Sequence, residues 1–555
     1  MTGNGPSALI LSYILHGHIP YYIGGHHDNI LDAKLQDSPN LLHLTSDLYA
    51  HFLSSLRYST QALPVNTLLD TLIRPNADTE LNPKSCIEWR YEPERAVPHV
   101  SIGDTTHAGG QWAENPVSGS SDIGTLSYAE QLSLPGYSYA DHLARSGRKD
   151  ETEFVRPTRT EVADYLRAYP EAVGIADAVY TGLKVEDVYR TTKGFAIGSL
   201  GMQCKHMVLA SGIFTVNIPP PPLLAPIAQL ESQEAPLLVI GSGFSAADVI
   251  ISTPPNRRII HLFQWAPEKR PSPLRGCHHT AYPEYATVYR QMKLAAIASS
   301  KKARASKSPM VRRKPNNPFL QQRDWSLYEG LPSAEVVNVS TSDRGAAISL
   351  RLPSGDTITR EVGGLAYVVG RRGTLDFLSS DLRSEILSMP DHLQDNSSAS
   401  GHLISGRTLR AKAEATSLEV AKNVFIVGSL TGDSLIRHAV GGCVFAAGRI
   451  LGAIPSLYSP DSTPSPTSST PRSASPVSNS DTMVTINDAD SSPKRPRTGR
   501  STPGELTNGH ADLHLDRRKM VRVVEMVRAV EMAHAENRSW VDSGWWAGGL
   551  GPGGP

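Results

Sequence analysis

The chain has 555 residues, too many for one ordinary core, so two domains and additional tail are expected. Lysine plus arginine and aspartate plus glutamate balance at 54 each, and a net charge of zero gives no global pull toward nucleic acid or an anionic membrane surface. No apolar run reaches the length of a membrane span, and residues 7–15 lack the basic flank and cleavage pattern of a signal peptide. Four scattered cysteines, Cys86, Cys204, Cys277 and Cys443, form no disulfide framework or CxxC pair, which fits a reducing, cytoplasmic setting.

The chain opens on Gly3-x-Gly5-x-x-Ala8, with Pro6 and Ser7 inside the turn and an apolar helix from Leu9 to Leu15 behind it. In such a turn the first glycine permits the tight bend. The second lets the backbone approach a pyrophosphate, and the small third residue packs helix against strand. The helix N-terminus then presents N–H groups to the phosphates. A buried strand should precede the turn, yet only Met1 and Thr2 do. Either the start is clipped or the first sheet lacks its central strand. Ile19 to Ile23 reads as the second strand. Its end should carry an acid for a ribose hydroxyl, and Asp28 is the nearest. His26 and His27 have no third ligand at usable spacing and read as a polar loop, not a metal site.

Residues 30–150 show little regular pattern, apart from Gly109-Gly110-x-Trp112 and an apolar-anchored loop at Leu132 to Gly136. Thr158 and Glu161 predict the start of a helix through Val162, Tyr165 and Leu166. Short strands follow between Val179 and Val188, at Gly194 to Ile197, and at Met207 to Ala210, the last ending in Ser211-Gly212. The prolines at 219–222 make a stiff connector.

That connector leads to Leu237 to Ile240, a buried-strand pattern, and to a second turn, Gly241-x-Gly243-x-x-Ala246, containing Phe244 and Ser245. An NAD site expects an acid at the end of the next strand, about twenty residues past the first glycine. Ile259 to Phe263 instead ends in Gln264 and Trp265, with Arg257 and Arg258 before it and Lys269 and Arg270 after. The missing acid and these cations favour the 2′-phosphate of NADP, with Arg257 and Arg258 as candidate ligands.

Cys277-His278-His279 reads as a loop, and the basic runs at 301–304 and 312–314 as solvated faces. Val336 to Ile358 predicts an antiparallel meander turning at Ser354-Gly355-Asp356. Two further strands run into Gly370-Arg371 and into Gly428, the latter followed by Gly432-Asp433 and a small-residue helix from Ala439 to Ile450. The Ser/Pro/Thr-rich stretch that follows buries too little apolar surface to fold, and Lys494 to Arg497 within it has the composition of a nuclear import signal. Met520, Val523, Val524, Val527 and Val530 share one helical face, suited to docking on the core, to self-pairing or to a partner protein.

The order GxGxxA, GGxW, strand to Ala-Ser-Gly, GxGxxA, strand to Gly-Arg and strand to Gly-Asp resembles the flavin-containing monooxygenase superfamily. The finer matches Gly3 to Ser7, Leu11-Ser12-Tyr13, Ile19 to Tyr22, Leu132 to Gly136 and Phe244 to Asp248 resemble its oxidative stress-induced growth inhibitor branch, associated with growth and stress regulation. The resemblance implies an α/β fold of two dinucleotide-binding, Rossmann-like domains. An NADP domain (223–345) would be inserted between two parts of an FAD domain (1–218 and 346–455). The resemblance covers roughly residues 1–450; the disordered linker (456–510) and C-terminal helix (511–540) read from composition and periodicity lie outside it. FAD would be held by Gly3, Gly5, Pro6, Ser7 and Ala8, by Gly109, Gly110 and Trp112 near the flavin, and by Gly432 and Asp433 at its ribityl–phosphate region. NADP would be held by Gly241, Gly243, Phe244, Ser245 and Ala246.

The implied activity is an FAD- and NADPH-dependent monooxygenation, in which a flavin hydroperoxide oxidises a nucleophilic small molecule or protein side chain. No residue-borne catalytic group is demanded. Asn115 stands where it could hydrogen-bond near the flavin. The FxGxxxHxxxW motif is absent. The alternative is a stress or growth regulatory protein that keeps the fold with weak or lost flavin chemistry.

Overall fold

The computed structural model describes residues 1–44, 51, 62–75, 84–117, 119, 121–148, 155–232, 234–300, 323–342, 345–388, 403–415 and 417–452. The linker expected at 456–510, the helix expected at 511–540 and the basic runs at 301–304, 312–314 and 494–497 lie outside the described residues.

Helix α1 (Pro6–Leu15) is buried from Ala8 to Leu15, which explains a sequence that is apolar all round instead of striped. After it come β1 (His18–Tyr22) and α2 (Asn29–Asp37), with Asp28 accepting from the Ile30 and Leu31 N–H groups as N-cap. Then follow α3 (Pro64–Ile73), β2 (Ile87–Tyr91) and β3 (Ser101–Ile102). Helix α4 (Arg159–Ala172) starts at the Thr158 and Glu161 capping box. Next are β4 (Val179–Tyr180), the antiparallel meander β5 (Val188–Thr191), β6 (Gly194–Ile197) and β7 (Met202–Cys204), and β8 (Met207–Leu209).

The chain leaves this unit along β9 (Val216–Asn217) and builds a second one. This comprises β10 (Leu237–Ile240), α5 (Phe244–Ser252), β11 (Ile259–Phe263), α6 (Pro283–Ser299), β12 (Tyr328–Pro332), the meander β13 (Glu335–Ser342), β14 (Gly345–Arg351) and β15 (Thr357–Val362), and β16 (Gly364–Tyr367). It returns along β17 (Arg371–Thr374), which lies antiparallel to β9 and pairs Arg371 with Asn217. The first unit is completed by β18 (Leu403–Ile404), β19 (Glu419–Ala421), β20 (Val424–Ile426) and α7 (Ala439–Gly452).

In the first unit Thr2 bridges in parallel to both Ile102 and Leu209. Its N–H donates to Val208 O and its carbonyl accepts from Ala210 N, each at 2.9 Å. The two residues before Gly3 thus occupy the central strand position, between β3 and β8, with β4 beyond β3 and β20 beyond β8. The expectation that Ile19 to Ile23 forms the second strand of this sheet is corrected. That segment is a strand, but it pairs antiparallel with β2, and β3 takes the place beside Thr2.

The second sheet is parallel, in the order β12-β11-β10-β16. Val239 joins the apolar layer of α5 and α6, while Leu238 and Ile240 join the layer of the meander β13 to β15. Cover on both faces is why Leu237 to Ile240 is a continuous apolar run. This pairing also corrects the expected boundary at 345. Strands β14, β15 and β16 belong to the inserted unit, and the chain crosses back at Arg371.

All four cysteines are free. Among the described residues no helix is long and apolar enough to cross a membrane, and no group of three His, Cys, Asp or Glu is placed to hold a metal.

Candidate functional site

A cavity of about 1070 Å³ opens at the C-terminal ends of the first sheet's strands. One wall is the first turn, from Thr2 to Ser7. Gly3 has φ +113°, and a Cβ there would run into the Ala210 carbonyl, so only glycine fits. Gly5 is the N-cap of α1 and no side chain caps the helix; Pro6 at its first position removes one N–H that would otherwise need a partner. The first-turn N–H groups therefore face the cavity end of the helix without a protein cap.

The second wall is the loop after β3. Asn4 pins it: its Oδ1 accepts from Thr105 Oγ1 at 3.0 Å and its carbonyl from Gly109 N at 2.8 Å. Gly110 then lies against Gly5, so Gly109 and Gly110, expected near the flavin, are brought onto the first turn. Gln111 and Asn115 line the cavity; Trp112 does not, and packs on the core instead. Ala8 is fully buried behind the turn.

The third wall is Ala210 to Gly212 with Val427 and Ser429. Here Ser429 Oγ accepts from Ile213 N at 3.2 Å. Two residues that line this cavity, Thr2 and Ser211, have hydroxyls that are buried and have no hydrogen-bond partner among the described residues. Buried hydroxyls of this kind are expected to find a partner.

Gly432 and Asp433, expected at the ribityl–phosphate region, lie outside this lining. The Asp433 carboxylate is engaged by protein donors: Leu63 N at 2.8 Å and Asn66 Nδ2 at 2.6 Å on one oxygen, Arg410 Nη1 at 2.7 Å on the other. It fastens α3 to the segment before α7. Nearby, Asp70 on α3 pairs with Arg74 at 2.8 Å and with Arg437. Burial would raise the Asp70 carboxyl, but Arg437, Arg74 and His438 outweigh it and hold it down to about 2.

Sequence reasoning sought the ribose acid at Asp28 and missed Asp104. Because β3 is the true second strand, the residue two beyond its end is Asp104, and it lines the cavity. Thr2, Ser211 and Ser429 were also missed as lining residues.

The second turn lies between β10 and α5. Gly241 has φ +153° and a Cβ on it would strike the Val368 carbonyl; Ala246 packs close below. Gly243 is the extended N-cap of α5, again with no side-chain cap, and Phe244 and Ser245 are half-buried at the helix start. Phe244 stacks edge-on against Tyr285 at 5.3 Å. His261, fully buried on β11, reaches the Gly241 carbonyl through Nε2 at 2.7 Å.

Arg257 and Arg258 are not at this turn. They precede β11, so they sit at the opposite edge of the sheet, about 15 Å of strand away. Arg257 donates to Ala235 O at 3.0 Å and Arg258 to Glu329 at 2.8 Å. The cations that follow β11 on the turn's side of the sheet include Lys269, which is exposed, and Arg270, which is half-buried.

No family model matches the chain. Among solved structures, L-lysine 6-monooxygenase from Pseudomonas syringae aligns with 81% of this chain and 97% of its own at 13% identity, with a TM-score of 0.40. Oxidative stress-induced growth inhibitor 2 of Homo sapiens is 26% identical over 508 residues, 80% of this chain and 91% of its own. Oxidative stress-induced growth inhibitor 1 of Mus musculus is 30% identical over 341 residues, 54% of this chain and 70% of its own. On that identity and coverage, the chain belongs to the oxidative stress-induced growth inhibitor family.

Proposed function

We propose that this chain is an NADPH-dependent flavoprotein monooxygenase that holds FAD in the first cavity and the nicotinamide dinucleotide on the Gly241 turn. The observation that carries this is an uncapped, glycine-started helix at the wall of a cavity whose lining includes Thr2 and Ser211, the buried hydroxyls of which have no partner among the described residues. Its size stands at the top of the range of roughly 300–1,000 Å³ for small-molecule sites, as an extended dinucleotide requires.

Gly5, Pro6 and Ser7 at the head of α1 would take the pyrophosphate, and Asp104 would accept from ribose hydroxyls. Gly109, Gly110 and Asn115 would meet the flavin end. NADPH is preferred over NADH because β11 ends in Gln264 without an acid, while Lys269 and Arg270 follow in the next turn. FAD reduced by NADPH supplies the oxygen-activating chemistry; the protein supplies position and a dry site. Phe214, Val427 and Phe377 are among the apolar residues of the lining that would help to exclude water. No side chain in the cavity is assigned as acid or base.

The test is the absorbance spectrum of the purified chain after incubation with FAD and gel filtration, followed by NADPH oxidation and oxygen uptake with a thioether or amine substrate. Near-stoichiometric flavin with NADPH-linked oxygenated product supports the reading. A colourless protein that consumes no NADPH in the presence of FAD rejects it.

A further inference from the structure

Arg371 stands where the two units meet, at the start of β17, the strand that returns from the second unit to the first. Its Nη1 donates to Asn115 Oδ1 at 3.2 Å, with Gln111 Oε1 at 3.5 Å, and its guanidinium lies 5.0 Å from the centre of the Phe214 ring. Asn115, Gln111 and Phe214 all line the first cavity. The described residues offer its Nε and Nη2 groups no acceptor. Burial, opposed by the charge of Asp248, draws the guanidinium down to about 10, so it stays a cation at neutral pH while most of its donors lack a protein partner.

The strand order says which half of a bound dinucleotide this cation meets. In a parallel nucleotide fold the pyrophosphate sits on the helix after the first strand, and the adenosine ribose lies toward the end of the second. Here those are β10 and β11, so the adenosine half extends over β11 and β12. The other half extends over β16, on the far side of β10, and Arg371 follows β16 by four residues. Val368 in that connection already touches the Gly241 turn.

We propose that Arg371 binds the nicotinamide half of the dinucleotide on the Gly241 turn, its free N–H groups taking an anionic oxygen of that half at the edge of the flavin cavity. This rests on the reading of that turn as a nucleotide site. The other charged groups around it are Asp248 on α5, Arg159 on α4 and the adjacent Arg372. Asp248 is held by the Tyr285 hydroxyl at 2.8 Å and does not form an ion pair with Arg371 within 4 Å, so the guanidinium's fork remains available. Its bond to Asn115 ties occupancy of the second turn to the loop that walls the first cavity.

The full chain, incubated with FAD, is titrated with NADP⁺ and separately with 2′,5′-ADP, which carries the adenosine phosphates but no nicotinamide half; protein fluorescence reports binding. In Arg371→Met the NADP⁺ Kd is expected to rise about tenfold or more, while that of 2′,5′-ADP changes less than twofold. Arg371→Lys, which keeps the charge without the fork, should fall between. Flavin absorbance retained in the same variants shows that the fold is intact; should Arg371→Met lose flavin, the Arg371→Lys comparison of the two probes decides. Unchanged NADP⁺ affinity, or equal weakening for both probes, overturns the assignment. Failure of the wild-type chain to bind NADP⁺ at all overturns the nucleotide reading with it.

Discussion

His261 holds the carbonyl of Gly241. A carbonyl only accepts, so Nε2 at 2.7 Å must carry the proton, and the neutral ring then accepts at Nδ1 from the Tyr328 hydroxyl, also at 2.7 Å. The first glycine of the second turn is thereby fixed from the neighbouring strand. Burial pulls the imidazole down to about 4. Its folded pKa is depressed, so the unfolded chain binds the extra proton, and stability is lost as pH falls below about 6.5 toward 4. The loss amounts to roughly 3 kcal/mol over that window. Urea unfolding at pH 7 and pH 5 should show a smaller acid loss in His261→Gln than in the wild type. An equal loss in both would mean that His261 is not the group responsible.

Asp70 and Arg437 tie α3 to the segment before α7, and Arg437 Nε lies 2.9 Å from the carboxylate. Both side chains are buried. Removing one charge leaves the other without its partner in a low-dielectric site, at a cost of about 3–5 kcal/mol. Asp70→Asn should therefore lower unfolding free energy by about that amount at pH 7. The carboxyl is depressed to about 2, so its contribution is present above about 4 and lost as pH falls toward 2. The gap between the wild type and Asp70→Asn should thus narrow in acid. A constant gap down to pH 2 would argue that the variant acts by altered packing.

What the sequence made legible was local. Leu237 to Ala246 spells strand, turn and helix within ten residues, and Thr158 with Glu161 spells a cap, because each signal lies within one element. The meander from β13 to β15 was equally readable from alternation. The second strand of the first sheet was not, because β3 is two residues long and reaches Thr2 only through pairing across about a hundred residues of chain. Ile19 to Tyr22 has the better strand composition and lost that place to β3. Asp104 was hidden for the same reason. The misplacement of Arg257 and Arg258 has a different origin: residues before a parallel strand always lie at the edge opposite the glycine turns, and that polarity was already in the sequence. Asp433 was recognisable as part of a Gly-Asp pair, but nothing local revealed Asn66 and Arg410 as its partners.

The two turns should fail separately. A Cβ on Gly3 meets the Ala210 carbonyl and one on Gly241 meets the Val368 carbonyl, and both positions have backbone conformations that side chains rarely adopt. Gly3→Ala is expected to reduce FAD affinity at least tenfold and leave NADP⁺ binding within a few fold, with Gly241→Ala giving the reverse. Flavin retention after gel filtration and NADP⁺ titration measure the two arms. Loss of both ligands in either variant would point to collapse of the fold, which circular dichroism would register.

Asp104 gives the sharpest test of how the first cavity is read. It stands two residues beyond β3, the strand beside Thr2, and lines the cavity on the side away from β8. A carboxylate there accepts from vicinal ribose hydroxyls, and hydrogen bonds to a charged group contribute about 1.5–3 kcal/mol each. Asp104→Ala should therefore weaken FAD about tenfold to a hundredfold and leave the chain folded, since Asp104 is exposed and a core position is not disturbed. Riboflavin lacks the adenosine ribose, so its affinity should not change in the variant. Fluorescence titration with both flavins separates the cases: an equal effect on the two would place Asp104 at the isoalloxazine end, and no effect on either would remove it from the site. Asp28, which caps α2, is the control, because its replacement should change stability without changing either flavin affinity.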